Sequence, residues 1–565
     1  MAERLKGFFH APEGQGPDGL GPDQPGTDPV RHHYYEAQTD DPNEPQIWAY
    51  TGRHAYSPGQ ALELHVSTTC PSYRVTVRRD GAGDDVVWAS GNQPGTFHAV
   101  AADCSVAGCG WPVALEIPVG EDWPADGYLV ILEGSHPNGP ARHAHIVLIR
   151  GRAEHPAPLL LIACTGTWTA YNEWGGSNHY EGITGPKGDQ FSPILSTQRP
   201  WTKGFAEQPP EAPRIPCDPP PMGQPPTYPH MRWAHANGYS KKYASSGWAH
   251  YERPFVQWLA QAGYRFDIAT QGDLQFDPGI LDRYRAAVIV GHDEYWSWEM
   301  RDTLDAWLDA GGRLARFAGN FYWQIRLEDE GRRQVCYKYR APEEDPLSGT
   351  ERMTHVWESV GRPGAATMGL SGAFGIYSGW AGCVARGAGG FTIYRPDHWA
   401  FAGTGLGYGD VLGAGARIFG YEVDGVDYET RGGLPHPVDA DNLEILAMAP
   451  ATTVETSPEP EPFIGLNDAR AVARALHGAD TDEAIDKVAR GAGMIAHYRR
   501  GEGEVLNAAS CNWVSGLIAR EPLVERVTRN VLDHAMTTTV GNTEAVGLYE
   551  HLGNGRNEIT PAKNL

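Results

Sequence analysis

Leu159-Leu160-Leu161-Ile162-Ala163 runs without a polar residue into Cys164-Thr165-Gly166-Thr167-Trp168-Thr169-Ala170-Tyr171-Asn172-Glu173-Trp174-Gly175-Gly176. A short, wholly apolar run suits a strand buried on both faces, as in a parallel sheet. The chain downstream repeats the theme. Phe255, Trp258, Leu259 and Ala262 fall at helical spacing and predict a helix over 251–262. Phe266–Ala269, Ala286–Val290 and Leu314–Ala318 read as further strands. Ser297 can cap a helix with Met300, Leu304, Trp307 and Leu308 on one face, and Gly311-Gly312 ends it. This alternation predicts an α/β domain with a parallel sheet. Ala469–Leu476 and Val524–His534 read as later helices.

Upstream the period changes to two. Leu62, Leu64 and Val66 alternate with polar residues, as do Tyr73, Val75 and Val77. Gly127–Leu132 and Ile146–Ile149 are two more strands, and Ser57-Pro58-Gly59 and Asp80-Gly81 mark turns. Short strands at this spacing predict an all-β, immunoglobulin-like sandwich. The expected order is an extended arm over 1–45, the sandwich over 46–152, the α/β catalytic domain over 153–540 and a tail over 541–565. Two insertions interrupt the α/β part. Residues 209–229 hold ten prolines and predict an extended loop. Residues 327–400 are Gly-rich and irregular.

Composition narrows the function classes. The chain has 565 residues, 41% hydrophobic and 21% charged, which excludes disorder for its bulk. A net charge of −24 argues against nucleic acid or an anionic membrane as partner. No apolar run approaches the roughly 20 residues that span a bilayer. Residues 1–19 lack the apolar stretch of a secretory signal, so a cytoplasmic location is expected. The eight cysteines show no CxxC pair. Cys104 and Cys109 are close enough to pair across a loop, but free thiols are the expectation.

In an open parallel sheet, ligands bind beyond the carboxyl ends of the strands. Three such ends carry polar and aromatic residues: Cys164–Gly176, Gly291-His292-Asp293-Glu294-Tyr295-Trp296 and Gly319-Asn320-Phe321-Tyr322-Trp323. His292 and Glu294 can reach one cavity or a shared metal, or act as general acid and base. The plainer alternative is that Glu294 pairs with an arginine while His292 binds a carbonyl. Cys164 reads as a small hydrophobe rather than a nucleophile. No serine-hydrolase elbow, phosphate loop or dinucleotide fingerprint is present.

The stretches Thr167–Gly176, Arg199-Pro200, Gly291–Trp296 and Gly319–Trp323 resemble the catalytic domain of the N,N-dimethylformamidase large (beta) subunit family. Gly420-Tyr421-Glu422-Val423-Asp424, Gly503–Ala508 and Thr528–Leu532 fit in the same order. The resemblance covers about 155–540, and the β-rich part before it also resembles what precedes this domain in related chains. It implies a glutamine-amidotransferase-like core without cysteine chemistry. It also implies a mononuclear ferric (Fe3+) centre held by two tyrosinates and a glutamate. Carried over, Glu294 is the carboxylate ligand and Tyr171 the first tyrosine. Tyr180 is chosen as the second, at a shorter spacing than the family's, with Tyr228, Tyr239, Tyr243 and Tyr251 as rivals. His292, Asn320 and Glu422 match positions beside the metal or substrate.

Phenolate and carboxylate oxygens are hard donors that suit a hard ferric ion. Three such anions cancel its charge, so the centre can be buried. The implied activity is hydrolysis of a small N-substituted amide such as a formamide. Trp168, Trp174, Tyr295, Phe321 and Trp323 are expected as aromatic walls, Asn320 as an oxyanion donor, and His292 or Glu422 as proton carrier. A homo-oligomer and a small accessory subunit stay open. So do a hydrolase of another metal or substrate and a non-catalytic carbohydrate- or small-molecule-binding protein.

Overall fold

Leu159–Ala163 forms a strand in which every residue is buried. Leu159, Leu161 and Ala163 face one apolar cluster, while Leu160, Ile162 and Cys164 face another. That two-sided burial is why the run carries no polar residue. Each such side chain contributes roughly 1.5–3 kcal/mol of transfer free energy. The computed structural model describes residues 36–537, apart from 186–187, 191, 216–228, 376, 379–388, 427–437, 439, 453–471 and 489. The tail, most of the expected arm, Tyr228, the middle of the proline-rich loop and the start of the 469–476 helix lie outside the described residues. Residues 472–477 are helical.

Strand 159–163 pairs in parallel with Phe266–Thr270 on one side and Ala286–His292 on the other. Arg313–Gly319 and Gly503–Ala508 continue the parallel set. Antiparallel strands Arg490–Arg500, Leu443–Thr452, Phe391–Ile393 and Val411–Leu412 then extend it to nine. The periodicity reading did not find this antiparallel half. Gly491, Ala492 and Gly493 blur the pattern of one strand, and the two at the sheet edge are short.

The expected elements around the parallel set form close to their predicted bounds. Glu252–Ala262 and Trp298–Asp309 are helices. The Ser297 hydroxyl accepts from the Met300 amide, and Met300, Leu304, Trp307 and Leu308 are buried. Pro522–Met536 is the last helix among the described residues, with Val524, Val527, Val531 and Leu532 buried.

The β-rich part holds two sheets. Ile47–Thr51, Ala61–Thr68 and Val113–Pro118 make an antiparallel three-stranded one. The other runs through Ala55–Tyr56, Gly139–Ile149, Asp126–His136, Ser72–Arg79 and Val86–Ala89, with Gln93–Pro94 also pairing Ser72–Arg79. Leu62, Leu64, Val75 and Val77 meet between them. The outer face of the second sheet docks on the α/β layer. Leu129, Ile146 and Leu148 join the cluster of Leu159 and Leu161, and Trp248 Nε1 donates to Asp80 at 3.1 Å.

Candidate functional site

The carboxyl ends of three parallel strands bring the predicted residues together. Tyr171 ends the short helix Thr165–Tyr171 that follows strand 159–163. Its hydroxyl donates to Glu294 Oε2 at 3.0 Å. Tyr180 lies in the loop beyond that helix, pinned by its own amide on Asn178 Oδ1 (2.7 Å). The Tyr180 hydroxyl is 2.7 Å from both Glu294 oxygens. The two tyrosine rings are 4.5 Å apart. Trp323 Nε1 donates to Glu294 Oε1 at 2.8 Å, and the Tyr295 hydroxyl donates to Tyr180 at 2.8 Å.

Strand 286–292 delivers the second half. Gly291, at φ +87°, precedes His292, and a Cβ there would lie 2.4 Å from Tyr251 side-chain carbons. Only glycine lets the chain pass so close to that ring. His292 Nδ1 donates to the Ser245 carbonyl at 2.8 Å, which turns Nε2 toward the Glu294 and Glu422 carboxylates. Nε2 is 2.5 Å from Glu422 Oε2 and 3.2 Å from Glu294 Oε2.

Asn320 follows strand 313–319 in the left-handed region, at φ +66°. Asparagine tolerates that region better than most residues. The conformation is held by Asp424, which accepts the Asn320 amide at 2.6 Å. It aims Asn320 Nδ2 at Glu422 Oε2, 2.8 Å away. Below, Arg316 is fully buried and bridges Asp293 (2.9 Å) and Asp424 (2.5 Å). At Gly319 a Cβ would sit 2.3 Å from the Glu422 carbonyl and 2.8 Å from the Cys511 amide, so these segments close only around a glycine.

The electrostatics follow from burial and crowding. Burial opposes a charge on His292, but the Glu422 and Glu294 carboxylates outweigh it and push its pKa up to about 10. Glu294 is equally buried, yet the bond and charge of His292, with Lys338 and Tyr180, hold it below the usual carboxylate range. Burial raises Glu422 above that range against the pull of His292. Lys338 Nζ stands 3.3 Å from the Tyr180 ring centre and 4.8 Å from that of Trp323. Lys242 Nζ lies 5.1 Å from the Tyr180 ring. Neither lysine was anticipated, and Lys338 belongs to an irregular segment with no motif to flag it.

Other expected residues lie elsewhere. Tyr251 donates to the Ala244 carbonyl at 3.3 Å, and Tyr243 to that of Pro213 at 2.5 Å. Tyr239 packs against Trp233 and Tyr243. Of the expected aromatic walls, Tyr295 and Trp323 are at the site. Trp168 donates instead to Glu252 at 3.0 Å. Trp174 packs with Trp48 and Trp111, and Phe321 with Trp296 and Trp357. Trp174 and Phe321 thus pack on other aromatic rings, and the Trp168 indole is held by a buried carboxylate.

The family described as N,N-dimethylformamidase beta subunit-like, C-terminal, matches residues 73–525. This chain belongs to that family. The match begins in the β-rich part, well before residue 155, and ends in the last helix. Two N,N-dimethylformamidase beta subunits are similar over a shorter stretch. That of Alcaligenes sp is 35% identical over 78 residues, 13% of this chain and 10% of its own. That of Paracoccus aminophilus is 33% identical over 78 residues, with the same shares covered. The match thus spans about a tenth of the length of these curated relatives. Among solved structures, the sulfur carrier protein SoxY from Chlorobium limicola f thiosulfatophilum matches 20% of this chain and 86% of its own. Its identity is 10% and its TM-score 0.12, too low to carry an argument.

In this family member the donor set at Glu294 has the character that the ferric group implied by the resemblance would need. Two phenol oxygens and a carboxylate converge within 3.0 Å, all on hard oxygen atoms. Tyr171 and Glu294 are 4% and 2% exposed. The residues fit such an ion. Among the described residues, no helix is long and apolar enough to cross a membrane.

Proposed function

We propose that this chain is an amide hydrolase that cleaves the C–N bond of a small N-substituted amide such as a formamide. The observation that carries the reading is the meeting of the Tyr171 and Tyr180 hydroxyls on the Glu294 carboxylate. Those three residues would hold a mononuclear ferric ion. When bound, it supplies Lewis-acid polarisation of the amide carbonyl and lowers the pKa of water.

The chain's own groups handle orientation and protons. Ser245 fixes the His292 ring, so Nε2 faces Glu422. This pair accepts the proton that water loses as its oxygen joins the amide carbon. The same proton then passes to the departing amine nitrogen as the C–N bond opens, giving a carboxylic acid and an amine. Asn320 steadies Glu422 through Nδ2, which commits one of its hydrogens to that carboxylate rather than to an oxyanion. Tyr295 and Trp323 wall the cavity beside Glu294 and exclude bulk water, which strengthens each of these interactions.

The name beta subunit, borne by both relatives, supports a second, accessory subunit as part of this proposal. A cytoplasmic setting belongs to it too, and suits the described cysteines, all free thiols.

The test is amine release from N,N-dimethylformamide by the purified protein, alongside elemental analysis and a visible spectrum. The expected result is iron, a tyrosinate charge-transfer colour, and a rate that scales with iron content. Colourless protein that holds only zinc and releases no amine overturns the reading.

A further inference from the structure

Cys511 stands against the proton-handling pair but has no part in the reaction above. It follows strand 503–508 and is fully buried. Its amide donates to the Glu422 carbonyl at 3.0 Å. A donor atom of each of His292, Glu422 and Cys511 lies within 4.8 Å of the other two. Imidazole nitrogen, carboxylate oxygen and thiolate sulfur together are a donor set for zinc-class cations, with three protein ligands and a remaining open position.

Two further contacts make this more than proximity. A metal-binding histidine ordinarily donates its other ring N–H to a carbonyl or carboxylate, which fixes the tautomer. His292 does this through Nδ1 on the Ser245 carbonyl, at 2.8 Å. A ligating carboxylate is ordinarily held by a hydrogen bond as well. Asn320 Nδ2 supplies it to Glu422 Oε2, at 2.8 Å. The outer contacts of a soft-cation site are therefore in place before any cation arrives.

A second grouping, His398, Glu444 and His497, also brings donor atoms within 4.8 Å. Its nitrogens are already engaged with one another and with the chain. His398 Nδ1 accepts from the Ala400 amide at 3.2 Å, so Nε2 carries the hydrogen it presents to His497 Nδ1, also at 3.2 Å. His497 Nε2 faces Glu504 at 2.8 Å. This grouping contains no cysteine, which matters for the test.

We infer that His292, Glu422 and Cys511 form a second, softer cation site beside the Tyr171–Tyr180–Glu294 set, one that takes Zn2+ or Cd2+ and thereby inhibits the enzyme. Binding releases two protons to solvent, one from the Cys511 thiol and the one that His292 Nε2 shares with Glu422, and the cation takes the sulfur and nitrogen lone pairs so freed. With His292 and Glu422 committed to a cation, the water proton has no acceptor. The binding half stands on the three side chains alone. The inhibition half rests on the proposed amide hydrolysis.

The experiment uses the full chain as purified, titrated with CdCl2 while the ultraviolet sulfur-to-cadmium charge-transfer band is followed. The expected result is a band that saturates at about one Cd2+ per chain and is removed by excess Zn2+. Cys511→Ser and Cys511→Ala, with unchanged circular dichroism, should both lose it. In parallel, Zn2+ should inhibit amine release from N,N-dimethylformamide. Cys511→Ser should keep the basal rate and weaken that inhibition by about tenfold or more. A band of equal size in the Cys511 variants, or none in the parent, overturns the site. A Cys511-dependent band without Cys511-dependent inhibition overturns the inhibitory role and leaves the site. Because the band does not require turnover, failure of the amide-hydrolase reading is seen separately.

Discussion

The Tyr180 hydroxyl lies 2.7 Å from both oxygens of Glu294, across a sequence separation of 114 residues. Tyr171 meets the same carboxylate at 3.0 Å from the other side of a short loop. One carboxylate thus gathers two phenols in a buried pocket, and that arrangement carries the proposed chemistry.

Tyr180→Phe keeps the ring and removes only the oxygen. An unperturbed phenol has a pKa of about 10, so a nearby cation must favour its phenolate. The variant should fold normally, shift or weaken the visible band, and lose amide hydrolysis. Tyr251→Phe, whose hydroxyl is on the Ala244 carbonyl, should leave band and rate as they were. Spectra and amine-release rates of the two variants decide the matter; an unchanged Tyr180→Phe removes Tyr180 from the ligand set.

Glu294→Gln and His292→Ala should separate metal holding from turnover. A neutral amide is a weak donor to a hard cation, so Glu294→Gln should be purified with little iron. His292→Ala should keep iron and lose turnover by roughly two to four orders of magnitude, the usual worth of a general acid–base group. Metal analysis beside kcat reads both. Iron lost in His292→Ala but kept in Glu294→Gln means the roles are reversed.

Arg316→Met should unfold the chain far more easily than a surface change. Arg316 is fully buried between Asp293 and Asp424. Removing its guanidinium leaves two buried carboxylates facing each other, a loss of about 3–5 kcal/mol. Asp424→Asn should cost less stability but lower kcat, because Asp424 holds the Asn320 amide and so the aim of Asn320 at Glu422. Denaturant midpoints and kinetics of both variants test this. Equal stability of Arg316→Met and the parent would falsify the account of this network.

The face where the β-sheet meets the α/β layer should be acid-sensitive. Burial holds His54 and His143 down to about 4, and His145 well below the usual histidine range. An unfolded histidine titrates near 6.5, so the unfolded chain takes up protons first as pH falls. Stability from these residues is complete above about 6.5 and is lost as pH falls towards 4, at up to about 1.4 kcal/mol per unit for each group. Buried Glu36 and Glu252, raised to about 7, act in the opposite sense, so a matched comparison is needed. His143→Gln can keep the bond to the Ala49 carbonyl without titrating. The stability advantage of the parent over His143→Gln should narrow between pH 7 and pH 5. A constant gap across that range would rule out a neutral buried His143.

Much of the α/β part was readable from local patterns. The run Leu159–Ala163, the capped helix after Ser297 and the apolar stripe of Val524–Leu532 each obey rules that act between near neighbours. The antiparallel strands Leu443–Thr452 and Arg490–Arg500 were not readable. Their alternation is diluted by small residues, and their pairing is a long-range matter. At the site, His292 and Glu294 could be singled out because they stand at the end of a strand, whereas Tyr171 was chosen through the family resemblance. Lys338 and Cys511 could not, because neither sits in a pattern that differs from ordinary loop or core.

The amino-acid sequence by itself determined four of the buried parallel strands and which strand ends would carry phenol, imidazole and carboxylate groups, while the family resemblance supplied the hard-oxygen donor set. Only the tertiary structure decided that Tyr180 rather than Tyr239, Tyr243 or Tyr251 reaches Glu294, and that Trp168, Trp174 and Phe321 pack away from the cavity. It also decided that Cys511 stands beside His292 and Glu422. The reason is physical. Apolar periodicity is set by contacts a few residues apart, whereas a cavity at a sheet edge is closed by loops from distant strands, whose meeting depends on how the whole core packs.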